Sequence, residues 1–171
     1  MGLTKSRIVS RTAPMKGVKA IGIGPFKAID PVVNTATGVI HLPAHFTTPP
    51  AIARVEVKAT GNNVVETGTF DEATRTNEFV GVNTFFIPGN DDTLRKEIQT
   101  DSGTLKTIFI EDYNGKIYCL GAKNGCDIMT IVGSSDTQGF MITINSKEAE
   151  LMYVLAPAGV TDYQASILAY V

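Results

Sequence analysis

Ile108-Phe109-Ile110-Glu111-Asp112-Tyr113-Asn114-Gly115-Lys116-Ile117-Tyr118-Cys119-Leu120 is the stretch whose reading decides the fold. Two β-rich runs flank an Asn-Gly pair, the strongest short-range signal for a β-hairpin, because a type I′ turn needs positive φ at both central residues. With Asn114 and Gly115 as a two-residue loop, Tyr113 pairs with Lys116, Glu111 with Tyr118 and Phe109 with Leu120. Ile108, Ile110, Ile117 and Cys119 then occupy the opposite face. Both faces are apolar toward the base and polar toward the tip. A strand pair apolar on both sides is expected to be buried on both sides.

Outward from the hairpin, the chain reads as a series of short strands. Residues 20–26 form an apolar strand that Gly24 and Pro25 end. Residues 30–50 hold Pro31, Pro43, Pro49 and Pro50 and read as a long connection with a short strand at Val39 and Ile40. In 53–58, Ala53, Val55 and Val57 alternate with Arg54, Glu56 and Lys58, the period of a half-buried strand with a charged wet face. Turn residues 61–63 follow, and 64–70 reads as its return strand. Further strands are expected at 79–87, 128–132, 140–145, 151–155 and 165–171. One helix is expected over 91–103, with Asp91, Asp92 and Thr93 at its N-terminus, Leu94 and Ile98 one turn apart, and Gly103 closing it. The expected fold class is mainly β: an antiparallel β-sandwich or barrel with one short flanking α-helix.

The chain has 171 residues, 43% hydrophobic and 19% charged, with a formal net charge of −2. That size suits one domain, expected over 20–171, with 1–19 as a basic N-terminal arm. The arm carries Lys5, Arg7, Arg11, Lys16 and Lys19 and no acidic residue. It reads either as a solvated tail or as an arm that orders against an acidic neighbouring subunit. The low charge fits subunit interfaces, whose cores are depleted in charge. No apolar run approaches the ~20 residues that span a bilayer, and the N-terminus has no apolar signal region, so a cytoplasm-made protein with reduced thiols and no membrane partner is expected.

Chemistry is sparse. His41 and His45 have the spacing of helical zinc ligands, but Pro43 between them argues against a helix, and Cys119 and Cys126 lack the tight spacing of a zinc knuckle. Gly22 and Gly24 lack the rest of a phosphate-binding loop. Asp71-Glu72 lies in a polar stretch and Glu111-Asp112 at an exposed tip, without the burial that tunes an acid–base pair. Ser134-Ser135 has no nucleophile-elbow context. No catalytic residue, metal ligand or cofactor is assigned, and an enzyme is not expected. The strand aromatics are not interleaved with Lys and Arg as a nucleic-acid stacking surface would be, and read as core.

The run 85–98, the hairpin 108–125 and the strand 139–144 together resemble the second half of tailed-phage tail tube proteins. Those show a strand, a short helix, an "EDxNGKxYxLG…NG" hairpin, a Gly/Asp-rich loop and a closing strand. The resemblance covers about residues 79–155. It implies a virion structural protein, assembled in the host cytoplasm, whose subunits close homo-oligomeric rings of six that stack around a channel where DNA passes non-specifically. It also implies contacts with other virion proteins. The arm (Lys5, Arg7, Arg11, Lys16) and the 30–50 loop would bridge subunits. Alternation and loop composition make Arg54, Glu56 and Lys58, with Ser134 and Asp136 of the polar 133–139 loop, candidates for lumen or interface. A proline-rich early loop and an extra apolar segment at 159–171 depart from the pattern. They keep a neck ring, tail terminator or capsid-decorating protein open, and beyond the virion a ligand- or carbohydrate-binding sandwich.

Overall fold

The computed structural model describes residues 17–26, 39–40, 52–58, 61–88, 96, 99–100, 102–134 and 139–167. Among these residues the strands are β1 (Val18–Pro25), β2 (Val39–Ile40), β3 (Ala53–Glu56), β4 (Glu66–Asp71), β5 (Thr76–Pro88), β6 (Lys106–Asp112), β7 (Ile117–Leu120), β8 (Cys126–Ser134), β9 (Gly139–Glu148) and β10 (Tyr153–Leu155). A short helix, α1, spans Pro157–Ser166. The fold is mainly β: the strands form one sheet that does not close, antiparallel except where β10 meets β2.

The sheet has two halves. In one, β7, β6, β1 and β3 lie side by side, with β10 and β2 beyond β7. In the other the order is β8, β9, β5, β4. Among the described strands the halves are joined by the pairing of Lys106 of β6 with Cys126 of β8. The sheet folds over at this joint, since one core cluster gathers Ile21, Ile23, Ile108, Ile110 and Leu120 from the first half with Phe85, Ile87, Ile128, Phe140, Ile142 and Ile144 from the second. Burying both inner faces against each other removes the inward apolar side chains of β1, β5, β6, β7, β8 and β9 from water, at roughly 25 cal/mol per Å². A second cluster, with Ile52, Phe109, Ile117, Cys119, Tyr153, Leu155 and Tyr163, fills the space between the outer face of the first half and α1.

The hairpin base is therefore buried on both sides, as its two-faced pattern requires, but its register differs by one residue. Ile108 pairs with Leu120, Phe109 with Cys119, Ile110 with Tyr118 and Glu111 with Ile117. The loop has three residues. Gly115 N–H donates to Asp112 O at 3.2 Å, Asp112 N–H donates to Lys116 O at 2.9 Å, and Gly115 has φ +78° while Asn114 is not in the positive-φ region. That is a type I turn closed by a glycine bulge rather than a type I′ turn. Asp112 makes the difference: its Oδ1 accepts from Asn114 N at 2.9 Å and Lys116 N at 2.7 Å. This Asx arrangement favours the longer loop. The slip places Leu120 with Ile108 and Ile110 in the main core, and Ile117 and Cys119 with Phe109 under the helix.

Two other expectations change. Residues 64–70 do not return along 53–58: β3 pairs with β1, and β4 pairs with β5. After Lys58 the chain crosses to the second half, where Lys58 N donates to Phe86 O and Asn62 Oδ1 accepts from Phe86 N. The C-terminal end is helical through Ser166. Ile167 then makes a single parallel bridge to Ile52, and 168–171 lie outside the described residues. Of the helix expected over 91–103, Lys96, Gln99 and Thr100 are described and helical, and Asp91, Asp92, Thr93, Leu94 and Ile98 lie outside the described residues.

Candidate assembly interface

The second half-sheet presents one face to the core and one to solvent. Along β5, Asn83, Phe85 and Ile87 point inward and are buried, while Val82 on the other face is 46% exposed. On β9 the inward set is Phe140, Ile142 and Ile144, and Met141 points out at 40% exposure. A β-bulge between Ile128 and Thr130 on β8 leaves Met129 at 61% exposure, and Val132 beyond it is 52% exposed. Val132 pairs with Met141, and Met141 with Phe86, which is 6% exposed beneath Lys58, so the apolar stripe across three strands is open to solvent on β8 and β9. Asn145, opposite Val82 on β9, and Asp127 on β8 add polar groups to this face. No described helix covers it, whereas α1 covers the corresponding face of the first half.

The edges of this half-sheet matter as much as its face. Among the described strands β4 pairs only with β5, and beyond Cys126 none pairs with the second edge of β8. Since β4–β5, β5–β9 and β9–β8 are each antiparallel, β4 and β8 run in opposite directions. Exposed edges of this kind are templates for pairing with another chain unless charge, proline or a cover blocks them. Beyond Phe79 the β4–β5 hairpin extends past the end of β9, and residues 67–77 are exposed on both faces. Phe70 is 57% exposed there, beside an open cleft of about 580 Å³ that Asn77, Asn124 and Lys147 also line.

The charged trio Arg54, Glu56 and Lys58 does not share one wet face. Arg54 is pulled under α1: its Nε and Nη2 donate to Glu111 Oε1 and Oε2 at 2.8 and 2.9 Å, and both side chains are about one-seventh exposed. Glu56 remains outside and accepts from Arg54 Nη1 at 3.2 Å. Lys58 crosses to the second half and lies 5.2 Å over the Phe86 ring. Ser134 ends β8 on the uncovered half-sheet, with its backbone paired to Gly139. Asp136 lies outside the described residues, as do Lys5, Arg7, Arg11 and Lys16 of the arm and the imidazoles of His41 and His45.

The carboxylates Glu111 and Asp112 are not an exposed tip pair. Asp112 is 1% exposed and serves the turn. Burial alone would push the Glu111 carboxyl up, but bonds from Arg54 and Tyr163, with the Arg54 and Lys19 charges, outweigh it and hold the group below its ordinary range. Such a neutralised carboxylate is a structural clamp rather than a proton shuttle. Glu66 goes the other way. Burial raises its pKa against the bond from Met152 N, and the Glu148 charge adds to the rise. Asp71 and Glu72 are exposed, and Asp71 is lowered by the Thr74 hydroxyl and the turn amides. Cys119 and Cys126 are both buried with pKa pushed up by that burial, which is the state of inert packing thiols. Among the described residues no three His, Cys, Asp or Glu side chains converge as metal ligands, and no helix is long and apolar enough to cross a membrane.

The uncovered, apolar half-sheet face was not read from the sequence. Its signal is present in Val82, Met129, Val132 and Met141, but alternation alone does not reveal which face a helix covers. No family model, no curated protein and no solved structure matches the chain.

Proposed function

We propose that this chain is a self-assembling structural subunit of the tail-tube kind, closing homo-oligomeric rings that stack in a virion around a DNA channel. The observation that carries the reading is the half-sheet β4–β5–β9–β8, with an edge at each end that no described strand pairs and opposite strand directions at those edges. Rotating one copy into the next sets β8 beside the following β4 in antiparallel order, and repeating the step produces a ring. This is the heterologous, head-to-tail geometry that closes when the rotation divides a full turn.

The stagger of the edges supports closure. β4 lies level with residues 76–81 of β5, whereas β8 lies level with 81–88. The offset is about six residues, roughly 20 Å at ~3.3 Å per residue, across four strands spaced ~4.8 Å apart. Matching the two edges therefore tilts the strands by roughly 45°, close to the 35–45° that closed barrels adopt. The uncovered face becomes the lumen lining, with Thr143, Asn145 and Asp127 among apolar side chains and few cations. With a net charge of −2, the wall lets DNA pass without gripping it. On this reading the lumen candidates move from the Arg54 face to the β8–β9–β5 face, with Lys58 at its border. Six copies, and contacts with other virion proteins, follow from the resemblance alone.

The rival ligand-binding reading has the Phe70 cleft in its favour, with one exposed aromatic side chain among polar groups. Negative-stain electron microscopy of the purified protein separates the two. Rings or tubes with a central hole support the tube reading, and a monomer at every concentration overturns it.

A further inference from the structure

A second cleft, of about 310 Å³, lies between the hairpin tip and α1 and is lined by no residue of the open half-sheet. Its lining charges divide into those used by the fold and those left over. Arg54 and Glu111 neutralise each other in a two-pronged pair, and Tyr163 Oη donates to the same carboxylate at 2.8 Å. Asp112 is buried and holds the turn amides of Asn114 and Lys116. Lys19 and Lys116 remain, both exposed and both lining the cleft, and neither lies within 4 Å of a carboxylate oxygen among the described residues. They flank the end of β6, Lys19 from β1 and Lys116 from the position opposite Asp112 that closes the hairpin loop. Gln164 adds an exposed amide, and Ile117, Val160 and Ile167 supply an apolar wall.

We propose that this cleft binds a small amphiphilic monocarboxylate, its anionic head between the Lys19 and Lys116 ammonium groups and its apolar tail against Val160 and Ile167. Three cations against two carboxylates leave an excess of one positive charge, which suits a monoanion. The guanidinium fork that would favour a phosphate is already occupied by Glu111. An apolar wall with a few placed polar groups is the usual make-up of a small-molecule site, and the volume sits at the lower end of their range of about 300–1,000 Å³.

Ligand-observed saturation-transfer NMR on the full chain tests this whatever its assembly state, with sodium hexanoate as the probe and inorganic phosphate and hexanol as comparisons. The expected result is saturable transfer to hexanoate, weakened about threefold by Lys19→Gln or Lys116→Gln and at least tenfold by the double variant, with an unchanged circular dichroism spectrum. If the double variant does not fold, the singles decide, and a single variant that binds hexanoate as tightly as the parent overturns the site. Equal binding of hexanol would mean an apolar crevice only. Equal competition by phosphate would mean unspecific charge attraction, and no transfer to hexanoate would end the proposal. None of these outcomes depends on ring formation, so the site and the assembly reading stand or fall separately.

Discussion

Arg54 on β3 reaches Glu111 on β6 across the whole width of the intervening strand β1, with Nε–Oε1 at 2.8 Å and Nη2–Oε2 at 2.9 Å. The crossing is possible because β1 places Ala20 and Gly22 there: Gly22 pairs with both Arg54 and Phe109, and Ala20 with Glu111. Small residues on the middle strand leave a trough, and Tyr163 of α1 lies in it, its ring tilted 48° to that of Phe109 at 5.2 Å between centroids and its hydroxyl bonded to Glu111.

The pair should behave as a partly buried one. Glu111→Gln is expected to destabilise the fold by about 2–3 kcal/mol, below the roughly 3–5 typical of a fully buried pair because both side chains keep some solvent. Replacing both members with apolar residues, Arg54→Met with Glu111→Leu, should recover a large part of the loss. Urea melts of Arg54→Met, Glu111→Leu and the double check this, and additive losses would show that the two residues do not act as a unit.

The pH dependence has two opposing parts. Glu111 has a lowered folded pKa, so its contribution is complete above its ordinary value of 4.5 and is lost as pH falls through the lowered one. Glu66 has a raised folded pKa, so protonating it favours the fold, and stability is lost as pH rises from 4.5 through the raised value. Glu66→Gln should therefore be at least as stable as the parent at pH 7, since an amide oxygen still accepts from Met152 N, and should lose that advantage below pH 4.5. Glu111→Gln should show the reverse ordering, with a deficit at pH 7 that shrinks in acid. Stability profiles from pH 3 to 8 measure both.

The hairpin shows how far a sequence carries a fold and where it stops. Apolar residues on both faces from Phe109 to Leu120 were enough to predict burial on both sides, a consequence of period-2 geometry. The register was not legible, because it depends on the Asp112 side chain competing for turn amides. Helix α1 was invisible for a different reason. Gly159, Val160 and Thr161 are poor helix formers, Ala156 provides no side-chain cap, and ten residues do not hold a helix alone. Packing of Tyr163 on Phe109 and Gly22 supplies what propensity lacks. The Arg54–Glu111 clamp was equally hidden, since its members are 57 residues apart.

Turn chemistry gives a clean discrimination. In a type I turn with a glycine bulge only Gly115 needs positive φ, so Gly115→Ala should cost about 1–2 kcal/mol and Asn114→Ala well under 1. A type I′ turn would make both costly. Asp112→Ala should be the worst of the three, at about 1–3 kcal/mol, because it strips two amides of their acceptor. Thermal melts of the three variants rank them.

Gly22 is required by space rather than by backbone angle. A Cβ there would lie 2.7 Å from Tyr163 Oη and 2.9 Å from both Tyr163 Cε2 and Ile52 Cγ2. Gly22→Ala should therefore lever α1 away from the sheet and cost about 1–3 kcal/mol, the usual range for overpacking. In a Tyr163→Ala background Gly22→Ala should cost markedly less, with only the Ile52 contact left to relieve, a coupling that chemical denaturation of the four-member cycle would reveal.

The open edges make the sharpest prediction about assembly. Thr84 exchanges both backbone bonds with Asn63 on the β4 side, so Phe85 faces β9, and alternation across the ladders aims the Gly133 N–H at the open edge of β8. The same counting aims the Phe70 N–H at the open edge of β4. Proline at either position removes an edge donor without touching the internal ladder. Gly133→Pro should abolish rings while retaining the β4 edge, and Phe70→Pro should abolish them while retaining the β8 edge. Gly133→Ala keeps the donor, and its Cβ meets only ordinary contacts with the Phe140 ring at 3.4 Å, so it should still assemble. Each proline variant alone is then expected to be monomeric by analytical ultracentrifugation. Mixed in equal amounts, they each offer the one intact edge the other lacks, and should form dimers and nothing larger. Rings from either proline variant, or a mixture that stays monomeric while both variants melt like the parent, would rule out pairing of β8 with the next copy's β4.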